Sequence, residues 1–106
     1  MRVEFSALAD EKLQHLLLFL QENWPKSVQV NFLEQLKSSI AILAENPKAF
    51  PVVSDSQSVR RCVVAPQTSL LYELQNDTIY VLTLTDSRQD PAKWRNELIQ
   101  RGGGEC

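Results

Sequence analysis

A chain of 106 residues with 43% hydrophobic and 23% charged side chains describes one domain with a modest core, and it excludes extensive disorder. With 11 Lys and Arg against 13 Asp and Glu the formal charge is −2. That balance excludes the broad phosphate-binding footprint that gains affinity by displacing counterions. The two cysteines, Cys62 and Cys106, make no CxxC pair, and the single histidine, His15, lies far from both in sequence. No metal site and no cofactor is expected from that inventory, and free thiols suit the cytoplasm. The opening MRVEFSALADEK lacks signal-peptide character, and the apolar run Leu16 to Leu20 is too short to span a bilayer, so the expectation is a cytoplasmic protein with no membrane partner.

Residues 1–5 alternate weakly, with Val3 and Phe5 set against Arg2 and Glu4, and predict a short strand. Ser6 is placed to N-cap a helix over 7–23, whose apolar positions Ala9, Leu13, Leu16, Leu17, Leu20 and Trp24 follow helical spacing and predict one buried face. Pro25 stands at the start of a second helix, over 26–45, because a missing N–H is tolerated there. Phe32, Leu33, Leu36, Ile40 and Leu43 form its stripe, and Asn46-Pro47 ends it. So short a break predicts an antiparallel helical hairpin. Residues 46–58 read as a loop anchored by Phe50.

The period then changes from 3.6 to 2. Residues 59–65, 68–74 and 78–86 predict three strands joined by turns at Pro66-Gln67 and 75–77, an antiparallel meander. Asp90 and Pro91 predict a last helix to about residue 100, with Trp94 and Leu98 on its buried face. The sum is an α+β domain of order β-α-α-β-β-β-α over 1–101, a helical hairpin on one face of a small, mainly antiparallel sheet, followed by a flexible tail, 102–106.

Four stretches in this order carry a family resemblance: LAENPKAFP (43–51), VRRCVV (59–64), LLYEL (70–74) and TLTDSRQDP (83–91). Together they resemble the RelE/ParE superfamily, the toxins of bacterial type II toxin–antitoxin systems, also called plasmid stabilisation proteins. Members commonly end a helix in Leu-x-x-x-Pro and open a strand with Arg. Their central strand has Tyr followed by a basic and an aliphatic residue, and the last strand ends in a His-x-Arg-x-Asp-Pro-like corner. The resemblance implies a toxin neutralised by a cognate antitoxin whose flexible segment wraps across it. Some relatives cut mRNA in the ribosomal A site, whereas the ParE branch poisons DNA gyrase.

This chain departs from the nuclease pattern. Asp86 stands at the corner histidine position, and Ser69 and Glu73 stand where the central strand is often basic. Cleavage of RNA at a 2′-hydroxyl needs a base, an acid and clustered cations. The candidates for those roles are Arg61, Tyr72, Asp86 and Arg88, and arginine is a poor proton shuttle because its pKa exceeds roughly 12. Each also has a structural reading: Tyr72 as a core aromatic with a partnered hydroxyl, Arg88 as a corner ion pair, and one of Arg60 and Arg61 paired at an edge because neighbours on a strand face opposite ways. Docking needs no catalytic set, only coverable apolar surface and a few orienting charges. Leu8, Leu17, Leu18 and Phe19 exceed what one narrow stripe buries, so Leu17, Leu18, Phe19, Arg60 and Arg88 are the candidate partner-binding residues. The favoured reading is a ParE-like toxin acting by protein binding, with gyrase as its implied target. The alternatives are a RelE-like ribosome-dependent mRNA endonuclease and a degenerate member that keeps antitoxin binding without toxicity.

Overall fold

The computed structural model describes residues 1–53 and 58–86; the last predicted helix, Arg88 and the tail lie outside them. The elements are β1 (Arg2–Phe5), α1 (Ala7–Asn23), α2 (Lys26–Glu45), β2 (Val59–Ala65), β3 (Thr68–Gln75) and β4 (Thr78–Asp86). They form a four-stranded sheet in the order β1-β4-β3-β2. The meander β2-β3-β4 is antiparallel, as its short turns dictate, while β1 runs parallel to β4. A parallel neighbour needs a long crossover, and the helical hairpin supplies it.

Alternation along the strands divides the side chains between two faces. Cys62, Val64, Leu70, Tyr72, Ile79, Val81 and Leu84 meet the buried residues of the helices, Ala9, Leu16 and Leu20 from α1 and Phe32, Leu36 and Leu43 from α2. Each fully buried Leu or Phe contributes about 1.5–3 kcal/mol relative to exposure, so this layer supplies most of the driving force. On the opposite face a smaller cluster joins Val59 and Leu71, with Val53 and Leu82 packed against it.

Three local devices set the geometry. The β3–β4 turn places Asn76 at φ 55°, a left-handed conformation that asparagine tolerates better than most residues. In β4 the register slips so that Leu71 faces Thr83 but Tyr72 faces Val81, leaving Leu82 as the extra residue of a bulge. Ser6 joins that bulge to α1. Its N–H donates to the Val81 carbonyl (2.9 Å), its hydroxyl donates to the Leu82 carbonyl (2.8 Å), and its Oγ accepts the Ala9 N–H (2.9 Å).

The predicted buried stripe of α1 is corrected at its end. Trp24 is 47% exposed because it is the C-cap residue, with φ −139° and ψ 157°, and so leaves the helical stripe. Pro25 is the N-cap of α2 rather than its first helical residue, its ψ of 155° being extended. In the α2 stripe Leu33 and Ile40 are half-buried.

Candidate functional site

Arg60 and Tyr72 are direct partners in the β2–β3 register, and both serve the loop that follows α2. Helix α2 stops where the Asn46 N–H donates to the Ile42 carbonyl (2.9 Å), and the chain turns back along the outer edge of β2. Val52 bridges Arg60; the Val53 N–H donates to the Val59 carbonyl (2.8 Å) and the Arg61 N–H to the Pro51 carbonyl (3.0 Å). Arg60 Nη1 donates to the carbonyls of Phe50 (2.5 Å) and Lys48 (3.3 Å). The Tyr72 hydroxyl donates to the Pro47 carbonyl (2.7 Å), and its ring meets Phe50 edge-on with centroids 6.3 Å apart. Tyr72 is fully buried, and that burial pushes its phenol up to about 12 although Arg60 pulls the other way. It is a neutral donor at any physiological pH.

The remaining candidates lie elsewhere. Arg61 is exposed on the face opposite the helices, as alternation from Arg60 requires. On that same face both Glu73 carboxylate oxygens are engaged, one by the Ser58 hydroxyl (2.7 Å) and one by the Gln75 amide (2.8 Å). Asp86 is only 8% exposed and accepts the hydroxyl of its cross-strand partner Thr68 (2.5 Å). Thr68 lies four residues from Tyr72 along β3, roughly 13 Å at strand rise. Arg61, Tyr72 and Asp86 therefore share no surface, and Arg88 falls outside the described residues.

On the hairpin, Leu17 and Phe19 pack against the main core while Leu18 is 53% exposed. Trp24 and Val30, both exposed, sit with Leu18 toward the turn end of the hairpin, where Gln29 Nε2 donates to the Leu17 carbonyl (3.4 Å) and ties α2 to α1. Cys62 is buried, which pushes its thiol up. Among the described residues no group of three or more His, Cys, Asp or Glu is placed to hold a metal ion, and no helix is long and apolar enough to cross a membrane.

Side-chain patterns missed Thr68 as the partner of Asp86, and they missed the carbonyls of Pro47, Lys48 and Phe50. Thr68 becomes visible only once the cross-strand register is known. Backbone acceptors leave no residue-type signal at all.

A helical hairpin laid across one face of a mixed four-stranded sheet recurs in solved structures. The chain is similar to the chromosomal ParDE system from P. aeruginosa, with a TM-score of 0.68 at 11% identity over 81% of this chain and 95% of that one. It is also similar to the E. coli DinJ–YafQ complex (0.57, 17% identity, 83% and 96% covered) and to the YoeB dimer from Staphylococcus aureus (0.57, 12% identity, 80% and 94% covered). At such identities the likeness establishes the fold. No curated protein matches the sequence. Residues 3–91 match the family described as the ParE toxin of the type II toxin–antitoxin system parDE, and the chain belongs to that family.

Proposed function

We propose that this toxin acts by gripping a protein target, not by cutting RNA, and that a cognate antitoxin neutralises it. The observation that carries this reading is the dispersal of its titratable candidates. Acid–base cleavage needs the acid, the base and the charge-stabilising cations around one reacting phosphate. Here Tyr72 is sealed on the helix face with its proton committed to Pro47, Arg61 faces the opposite way, and Asp86 is buried against Thr68 at the far end of the sheet.

Family membership supports an antitoxin as partner, and so does similarity to a structure described as a toxin–antitoxin complex. Exposed apolar side chains at the hairpin turn, Leu18, Trp24 and Val30, supply coverable area of the kind an amphipathic helix seals. Leu17 and Phe19, half-buried against the main core, flank Leu18 in sequence, and with Arg60 and Arg88 they complete the proposed partner-binding set. DNA gyrase is the target that the ParE branch implies.

The test uses purified full-length chain in gyrase supercoiling and cleavage-complex assays, with and without the antitoxin encoded beside it. Inhibition that the antitoxin relieves is the expected result. A chain that binds its antitoxin yet neither inhibits gyrase nor arrests growth on induction is the degenerate member, and that outcome defeats the proposal.

A further inference from the structure

We propose that residues 47–53 are a strap guarding the free edge of β2, and that Arg60 and Tyr72 are its latch; once the latch opens, that edge pairs with β2 of a second copy of this chain. Strand β2 is outermost in the sheet. An edge strand presents unpaired N–H and C=O groups that template pairing with another chain unless something covers them. The odd-numbered residues of β2 turn these groups outward, since the Val59 carbonyl and the Arg61 N–H are the ones the strap satisfies. Alternation carries the same orientation on to Val63, which the strap does not reach among the described residues and which is 56% exposed. One outward-facing position is too short a length to hold an added strand.

The strap is held by apolar and polar contacts together. Val52 is exposed, while the half-buried Phe50 and Val53 pack against the two apolar clusters. Three of its carbonyls are gripped by two side chains, Arg60 on Lys48 and Phe50, and Tyr72 on Pro47. Removing both grips leaves, among the described residues, that packing and the two ladder hydrogen bonds to β2, which water replaces readily.

Charge selects the register of the released edge. Pairing Arg61 with its own copy would oppose like charges. Shifting by two residues sets Arg61 against Val63 of the second copy and Arg60 against Val64, and it brings Cys62 opposite Cys62 at the two-fold axis. From Arg61 to Val63 that register sets outward N–H and C=O groups opposite one another, so the two edges are self-complementary over that stretch; the bulge between Val63 and Ala65 breaks the alternation beyond it.

The experiment compares the full chain in a Cys106→Ser background with Tyr72→Phe and with Tyr72→Phe/Arg60→Met. Exchange of the Val53 and Arg61 amides is expected to quicken on the order of tenfold in the double variant, with Leu70 and Val81 unchanged. Light scattering is expected to show the mass doubling, mild oxidation to link Cys62 to Cys62, and Val63→Pro to restore the monomer by removing an outward N–H. Should the double variant fail to fold, the isosteric Tyr72→Phe chain is read by the same criteria. Unchanged exchange overturns the latch. Faster exchange in a chain that stays monomeric overturns the guard, as does a Cys62-linked dimer already present in the parent background.

Discussion

Ser6 is the place where a single hydroxyl does most for the fold, so Ser6→Ala is the sharpest test of how sheet and hairpin are joined. The substitution removes the acceptor for the Ala9 N–H and the donor to the Leu82 carbonyl at the β4 bulge. Loss of an N-cap of this type costs about 0.5–2 kcal/mol. Leaving a half-buried carbonyl without its donor adds about 1 kcal/mol. The sum is roughly 2 kcal/mol, and at about 4–8 °C per kcal/mol for a domain near this size the melting temperature should fall by on the order of 10 °C. Urea titration gives the free energy and a thermal scan the midpoint. Ser6→Thr keeps both hydrogen bonds and should recover most of the loss. A cost under about 0.5 kcal/mol, below the floor for a functioning cap, would refute the reasoning, and so would a Thr variant no better than Ala.

Thr68→Val keeps shape but takes a donor from buried Asp86; the expected cost is about 1–3 kcal/mol by denaturant titration, and a neutral result would mean that the pair carries no energy. Leu18→Glu should change stability by less than about 0.5 kcal/mol while weakening antitoxin binding at least tenfold in calorimetry. The matched control Leu16→Ala, in the core, should cost about 2–5 kcal/mol in stability. For the buried phenol of Tyr72, the folded value near 12 lies above the ordinary value near 10, so folding favours the neutral form. Its contribution is complete below pH 10 and drains away as pH rises from about 10 to about 12, by on the order of 2–3 kcal/mol. Stability against pH in the parent and in Tyr72→Phe isolates that loss, and parallel profiles would contradict it.

Over the described residues, element types were legible because each segment's period and punctuation agree. Ser6, Pro25, Asn46-Pro47, Pro66-Gln67 and Asn76-Asp77 are strong local signals, and boundaries of α1, α2, β2 and β4 fall at them. The parallel pairing of β1 with β4 was not legible, since nothing in Met1 to Phe5 says which strand it will meet. The bulge at Leu82 was hidden for the same reason: it slips the register without altering the alternation enough to show in residue types. Alternation did place Arg60 and Arg61 on opposite faces, but which carbonyls Arg60 would hold depends on the path of the loop. Trp24 looked buried by helical spacing, yet spacing holds only while the helix continues, and the helix ends one residue earlier.

The claim that this chain grips rather than cuts is tested most directly by adding the purified protein to ribosomes translating a defined mRNA and mapping 5′ ends by primer extension. The account predicts intact transcripts at protein concentrations that arrest gyrase. Cuts at the ribosomal A site that vanish in Asp86→Ala or Arg88→Ala would contradict it.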